Sequence, residues 1–143
     1  MSLTKKIEVC PLEAKIRGRT KFYPSQTSNE TIVVQIQPKT IEHLFVHHFH
    51  TDRLLVVAGS CVLIVLQNRR YHYLDLRNER PKIVKIPPGI PHGAINFSSQ
   101  PCVMVNALLR HGPAHERDYR PLKLPFPYNL EIAKKVFESS KAS

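Results

Sequence analysis

Two short stretches of the chain carry residues that could transfer protons or bind a metal. The first runs from Val46 to Arg53 and contains three histidines, an aspartate and an arginine. Because a strand turns alternate side chains to opposite faces, we expect His48 and His50 to share one face and His47 to lie on the other. Imidazole titrates near neutral pH, so two such rings side by side could divide the uptake and return of a proton.

The second stretch runs from Pro87 to Asn96 and places His92 just after a proline–glycine turn, at the start of another apolar segment. We expect His92 to face the pair formed by His48 and His50. Three imidazole nitrogens from facing strands could also bind Zn, Fe or Ni, and an open coordination position would then allow metal-assisted chemistry. Asp52 could add a carboxylate to that set, or it could be a turn residue paired with the arginine that follows it.

The elements that position these residues have the sequence pattern of β-strands. From Thr31 to Leu109 the sequence predicts about eight or nine short strands, joined by loops too short for crossover helices. Within this region, Ile41 to His50 is expected to form one strand, Gly59-Ser60 predicts a two-residue hairpin turn, and Asn68-Arg69-Arg70 predicts another turn. Residues 1–29 are expected to be mostly irregular, with one short strand. The pattern is typical of an antiparallel sandwich or jelly roll rather than of an α/β fold. Four prolines between residues 113 and 127 predict an extended tail, and Asn129 could cap a terminal helix that runs through Lys141.

Length and composition limit the classes of protein to consider. The 143 residues fit one domain, and the surplus of 21 Lys and Arg over 11 Asp and Glu favours an anionic partner. The basic residues are scattered and lack the aromatic motifs of RNA-binding domains, so nucleic-acid binding is not expected. The three cysteines are widely spaced, which indicates reduced thiols and a cytoplasmic protein. The sequence predicts neither a signal peptide nor a membrane span.

Both histidine stretches resemble the motifs of the cupin superfamily. The first motif is matched by His48-Phe49-His50, Asp52 and Gly59, with Asp in place of the usual Glu. The second motif, Pro-x-Gly-x-x-His-x-x-x-Asn, is matched throughout by Pro87, Gly89, His92 and Asn96. The resemblance implies an all-β fold, a single-domain double-stranded β-helix (jelly roll) over residues 1–143 with a short C-terminal helix. Its barrel core would span about residues 30–110, with the proline-rich tail and the helix at about 111–143.

A narrower resemblance is to the dTDP-4-dehydrorhamnose 3,5-epimerases. It rests on the segment Ile86–Gly93, on Gly112–Arg117, and on the step His48-Phe49, whose histidine is the proton-abstracting base in that family. The positions that carry the family's arginine and tyrosine are Phe45 and Val105 here. The His-x-His pair is closer to the sugar 3,4-ketoisomerases of the same superfamily, which use two neighbouring histidines.

These resemblances imply an isomerase of the epimerase or ketoisomerase type that moves a proton next to a keto group of a nucleotide-linked sugar. They imply no cofactor, a small anionic or nucleotide-sugar ligand, and a homodimer joined through edge strands. The implied catalytic residues are His48 and His50. The residues expected to bind substrate are His92, Asn96, Arg53 and Arg110, the two arginines because guanidinium groups bind phosphate in a two-pronged manner.

Two alternatives remain open from the sequence. One is a metal-dependent cupin enzyme, for example a dioxygenase, with His48, His50 and His92 as the ligands of one divalent transition metal. The other is a non-catalytic cupin that binds a sugar or another small ligand, which the replacement of the epimerase residues by Phe45 and Val105 favours.

Overall fold

The computed structural model describes residues 6–112 and 120–141, which form thirteen β-strands and one α-helix. The strands of the first half are β1 (Glu8–Pro11), β2 (Lys15–Arg17), β3 (Thr20–Phe22), β4 (Glu30–Ile36), β5 (Thr40–Ile41), β6 (Leu44–Val46) and β7 (His50–Ala58). The later elements are β8 (Ser60–Gln67), β9 (Arg70–Arg77), β10 (Lys82–Ile86), β11 (His92–Asn96), β12 (Cys102–Arg110), β13 (Arg120–Leu122) and α1 (Leu130–Lys141).

Two antiparallel sheets build the barrel. One has the strand order β1-β10-β7-β12-β4, and the other has the order β13-β6-β11-β8-β9 with β5 beside β11. The hairpin β2-β3 forms a small sheet of its own. Consecutive strands lie in different sheets at several points, as they do in jelly rolls. The predicted all-β fold with a short C-terminal helix is therefore confirmed.

The core lies between the two large sheets and is filled by alternate side chains of their strands. Leu54 and Val56 point inward from β7, Val84 and Ile86 from β10, and Leu63 and Val65 from β8. Strand β8 is buried on both faces, because Val62 and Ile64 pack outward against residues of the C-terminal segment. This double burial explains why the sequence of β8 is continuously apolar rather than alternating.

The C-terminal helix is fixed to the outside of the second sheet. The side-chain oxygen of Asn129 accepts a hydrogen bond from the backbone N–H of Ile132 at 3.1 Å, which caps the helix as predicted. Near the other end, Arg77 donates to the carbonyl of Phe137 at 3.0 Å while it pairs with Asp75 at 2.7 Å. No helix in the described ranges is long and apolar enough to cross a membrane.

Two of the predicted turns, at Gly59-Ser60 and at Asn68-Arg69, have different roles in the fold. Strands β8 and β9 pair directly through Asn68 and Arg69, which both adopt positive φ, as a type I′ hairpin requires. Gly59 also has positive φ, but it joins β7 to β8, which belong to different sheets. The expected hairpin at Gly59-Ser60 is therefore wrong: this glycine forms a corner where a Cβ atom would lie 2.4 Å from the Pro101 carbonyl oxygen.

Other sequence-based boundaries also need correction. Residues 8–22 contain three strands, where mostly irregular structure was expected. The single strand expected from Ile41 to His50 is divided among β5, β6 and the first residue of β7. Part of the expected proline-rich tail, residues 113–119, lies outside the described residues.

Candidate functional site

The strand that was expected to carry the paired histidines is interrupted just before His50. Strand β6 ends at Val46, His48 and Phe49 form a bend, and β7 begins at His50 in the opposite sheet. Alternation therefore does not continue from His48 to His50. The expectation that these two rings share a face is wrong, since the side chain of His48 is exposed whereas His50 is buried.

The histidines that do converge are His47, His50 and His92, and they converge on one carboxylate. The Nε2 atoms of His50 and His92 each lie 2.9 Å from an oxygen of Asp52, on Oδ1 and Oδ2 respectively. The Nε2 atom of His47 is 3.7 Å from Oδ2. The side chain of Asp52 is only 3% exposed, so it is the centre of the cluster and not a surface turn residue.

His92 is held in place by both of its ring nitrogens. Its Nδ1 atom donates a hydrogen bond to the carbonyl oxygen of Ile90 at 2.9 Å, and its Nε2 atom faces Asp52. The structure thus brings His92 and His50 onto the two oxygens of one carboxylate. Ile90 lies in the proline–glycine turn before β11, so this turn provides the anchor for the ring.

His47 is positioned through its backbone by the same turn. The N–H of Gly89 donates to the carbonyl of His47 at 2.6 Å, and Gly89 adopts a positive φ of 85°. The centre of the His47 ring lies 4.2 Å from that of His50 and 5.7 Å from that of His92. The second motif therefore supplies one histidine and also positions a second one.

The electrostatics of the cluster depend on Asp52. Burial alone would raise the pKa of this carboxyl group, but the hydrogen bonds with His50 and His92, together with the positive charge of nearby imidazoles, bring the pKa well below its usual range. Asp52 is consequently ionised at any physiological pH. A permanent negative charge that contacts imidazole N–H groups orients the rings.

Asn106 is a site residue that the sequence reasoning missed. It lies on β12 and donates from Nδ2 to Oδ1 of Asp52 at 2.7 Å. The burial of β12 alternates, so that Met104 and Asn106 face inward while Val105 faces outward. The sequence contained one indication of this role, because Asn106 is an amide among the otherwise apolar residues at the inward-facing positions of β12. Val105, the position of the epimerase family's tyrosine, does not face the cluster.

Two of the residues expected to bind substrate point away from the cluster. Asn96 is fully buried at the opposite end of β11, where it bonds to Ile36 and to the loop at residues 98–100. Arg53 lies on the outer face of its sheet and donates to the Ala107 carbonyl at 2.9 Å.

Arg110, by contrast, lies at the end of β12 directly opposite His50 on β7. It forms an ion pair with Glu30 at 2.7 Å. The pKa of Glu30 is lowered mainly by its hydrogen bond with Arg110 and also by the nearby charge of His50. The Arg110–Glu30 pair is therefore a neighbour of the cluster.

A groove of about 980 Å³ also lies at the end of the barrel that contains Asn96. It is bordered by α1 and by the loop at residues 98–100, and it is lined by polar and apolar side chains alike. Because the histidines are at the other end of β11, this groove and the cluster are separate features of the fold.

The cluster has a donor set that could hold a metal. His47, His50 and Asp52 each offer a ligand atom, and these atoms lie within 4.8 Å of one another. The hydrogen bond from Nδ1 of His92 to a backbone carbonyl is the arrangement that orients Nε2 of many metal-binding histidines. The group of possible ligands is therefore His47, His50 and Asp52, with His92 against the carboxylate of Asp52, and it differs from the expected set of His48, His50 and His92.

The fold is shared with sugar isomerases and epimerases of known structure. A dTDP sugar isomerase from Desulfovibrio desulfuricans superposes with a TM-score of 0.70 at 15% identity, over 85% of this chain and 89% of that one. The TDP-quinovose 3,4-ketoisomerase WlaRB from Campylobacter jejuni gives a TM-score of 0.69 at 15% identity, over 83% and 95%. The 4-keto-6-deoxy sugar epimerase NovW from Streptomyces spheroides gives 0.69 at 11%, over 85% and 71%.

The sequence itself matches no protein family profile and no curated protein sequence. At the identities above, the structural likeness establishes the fold. The resemblance to cupins of the dTDP-sugar epimerase and ketoisomerase type is thereby confirmed at the level of fold.

Proposed function

We propose that this protein is a sugar-nucleotide isomerase or epimerase that transfers a proton at a carbon next to a keto group. The observation that carries the proposal is the buried pair of His50 and Asp52, whose Nε2 and Oδ1 atoms are 2.9 Å apart, with the His47 ring against it. The fold shared with nucleotide-sugar isomerases and epimerases supports the same reaction class.

The cluster suggests a division of roles. Asp52 keeps a hydrogen on Nε2 of His50, so Nδ1 of that ring is the atom that takes up a proton from the substrate carbon. His47 lies against His50 and is the group that returns a proton or hydrogen-bonds to the enolate oxygen. His92 has both nitrogens engaged and serves to fix the carboxylate. These roles replace the expected pair of His48 and His50.

The proposal concerns proton transfer as a class and not 3,5-epimerisation in particular. Phe45 stands where the epimerases carry an arginine, and Val105 stands on the outer face of the sheet where they carry the tyrosine. The anionic substrate is supported by the formal net charge of +10.

The proposal can be tested by incubating the protein with a dTDP-4-keto-6-deoxyhexose in D2O and following the sugar protons by NMR. Exchange of a proton at a carbon next to the ketone, or its migration, is expected with the wild type and should fall by at least about 100-fold in His50→Gln. His72→Gln, which changes an exposed histidine on β9, is the matched control. Absence of exchange with the wild type would exclude this function.

A metal-dependent enzyme is the second candidate, and the donor set of His47, His50 and Asp52 favours it. A bound divalent ion would supply Lewis-acid activation of a carbonyl or of oxygen. Elemental analysis of untagged protein decides the question. About one equivalent of Zn, Fe or Ni would support the metal enzyme, whereas less than about 0.1 equivalent would count against it.

A non-catalytic sugar-binding protein is the third candidate, supported by the same two replacements, Phe45 and Val105. It predicts that the wild type binds a dTDP-sugar in calorimetry and that no exchange or conversion follows. Homodimerisation and a cytoplasmic location stay predictions. The first has a physical reason in Val33 and Val57, which are 68% and 47% exposed on the outer face of the first sheet.

A further inference from the structure

We propose that Asn106 is a positioning residue, which holds the Asp52 carboxylate in the one orientation that lets it face His50 and His92 at the same time. This inference rests on the proposed function, because it assigns Asn106 a role in the same cluster. The side chain of Asn106 bonds to Asp52 and to the backbone of Arg53, so it acts on the rings of His50 and His92 through Asp52.

The amide of Asn106 is fixed by two hydrogen bonds of opposite kind. Its Oδ1 atom accepts from the backbone N–H of Arg53 at 2.9 Å, and its Nδ2 atom donates to Oδ1 of Asp52 at 2.7 Å. A backbone N–H can only donate and an ionised carboxylate can only accept, so the amide cannot be flipped. Asn106 is 7% exposed, and water therefore has little access to either bond.

The strand pairing near Asn106 has a gap. Strands β7 and β12 pair at Leu54 and Asn106, and the pairing resumes in the same register at Thr51 and Leu109. No residue is therefore inserted opposite Asp52 and Arg53. The unchanged register places Ala107 opposite Arg53.

Side chains satisfy the backbone groups that this interruption releases. The N–H of Arg53 donates to the Asn106 amide, and the carbonyl of Ala107 accepts from Nε of Arg53 at 2.9 Å. The interruption therefore leaves these two groups paired, and it places the Asn106 amide beside Asp52.

Removing the amide would release Asp52 from one of its three donors. With Asn106 present, Oδ1 faces His50 and Oδ2 faces His92, so the two rings share a single negative charge. Without the donor, the carboxylate can rotate away from His50, and the tautomer of that ring is no longer determined.

The experiment compares Asn106→Leu, Asn106→Asp and Asn96→Leu with the wild type, using the side-chain ¹⁵N resonances of the histidines. Asn106→Leu removes both bonds. Asn106→Asp keeps the acceptor for the Arg53 N–H but brings a second carboxyl against Asp52, which either repels it or shares a proton with it. Asn96→Leu removes a buried amide at the other end of the barrel and controls for loss of stability alone.

We expect the resonances of His50 and His92 to shift in both Asn106 variants and to keep their wild-type positions in Asn96→Leu. When a dTDP-keto-sugar that the wild type converts is used as the substrate, the kcat of Asn106→Leu should be about 10- to 100-fold below that of the wild type, with little change in KM. If both folded Asn106 variants retain wild-type imidazole resonances, the positioning role is overturned.

The spectroscopic part needs no substrate. A wild type that exchanges no sugar proton would exclude the proposed function but would leave the imidazole comparison intact. Conversely, unchanged resonances in an active protein would overturn the role of Asn106 alone.

Discussion

His92 and Asp52 are in direct contact inside the barrel. Nε2 of His92 lies 2.9 Å from Oδ2 of Asp52, and Nδ1 lies 2.9 Å from the carbonyl oxygen of Ile90. The other carboxylate oxygen, Oδ1, lies 2.9 Å from Nε2 of His50. The buried carboxylate is thereby balanced by imidazole rings on both of its oxygens.

This balance predicts a pH-dependent contribution of Asp52 to stability. Burial would raise its pKa, yet the hydrogen bonds with His50 and His92 lower it below the value in an unfolded chain, which is about 4. A depressed pKa stabilises the fold above the unfolded value, and the contribution is lost as the pH falls. Asp52→Asn should therefore cost about 3–5 kcal/mol at pH 7.

Urea unfolding followed by circular dichroism measures this effect. The difference in free energy of unfolding between the wild type and Asp52→Asn should shrink progressively below about pH 4. A difference that stays constant between pH 7 and pH 3, or that grows on acidification, contradicts the assignment.

Neighbouring histidines provide a second prediction. His47→Ala should slow proton exchange into a dTDP-keto-sugar by at least about 100-fold, because the ring packed on His50 is lost. His48→Ala alters an exposed side chain one position later, and exchange should stay within about twofold of the wild type. Rates measured by NMR in D2O distinguish the two. If His48→Ala instead slowed exchange more than His47→Ala, the result would support the sequence-based interpretation that His48 and His50 act together.

Metal binding gives a third prediction, specific to the second candidate function. If the cluster holds a divalent ion, the content of purified protein should fall from about one equivalent to below about 0.1 equivalent in His47→Ala and in His50→Ala. His48→Ala should retain the wild-type content. Equal loss of metal from the His48 variant would show that binding occurs at the exposed surface.

Two glycines with positive φ should respond differently to alanine. Gly89→Ala meets no atom within 4 Å of the new Cβ, so its cost is backbone strain of about 1–2 kcal/mol. Gly59→Ala adds a clash with the Pro101 carbonyl at 2.4 Å and should cost more. Thermal unfolding ranks the two variants.

Gly89→Ala should also lower the exchange rate, because the bond from its N–H to the His47 carbonyl depends on that turn. Gly59→Ala lies far from the cluster, so the exchange rate of the folded fraction should not change. If Gly89→Ala reduced stability but kept full activity, the prediction that this turn positions His47 would be contradicted.

The sequence predicted the strands well where burial alone determined the pattern. Strand β8 is apolar throughout because both of its faces are covered, and Asn68-Arg69 forms the turn that its composition indicates. It failed at His48, since alternation predicts a face only while the strand continues. After the break at Val46, the carbonyl of His47 accepts a backbone hydrogen bond from Gly89, which is more than 40 residues away. A local sequence pattern cannot predict such a distant contact.

Asn106 was missed for a related reason. Its role depends on the register between β7 and β12 and on the interruption opposite Asp52, neither of which composition can reveal. For His92, by contrast, the motif itself includes the turn that orients the ring, and the structure places that ring against Asp52 together with His50. The first stretch contributes His47 and Asp52 to the cluster in place of the expected His48.

Strand β11 has consequences for how this protein can change over evolution. Its first residue, His92, belongs to the histidine cluster, whereas its last, Asn96, ties Ile36 to the loop at residues 98–100 about 13 Å away. Substitutions that improve heat tolerance can accumulate around Asn96 without reshaping the chemistry. New specificities can arise at the histidine end while the opposite end keeps the barrel closed.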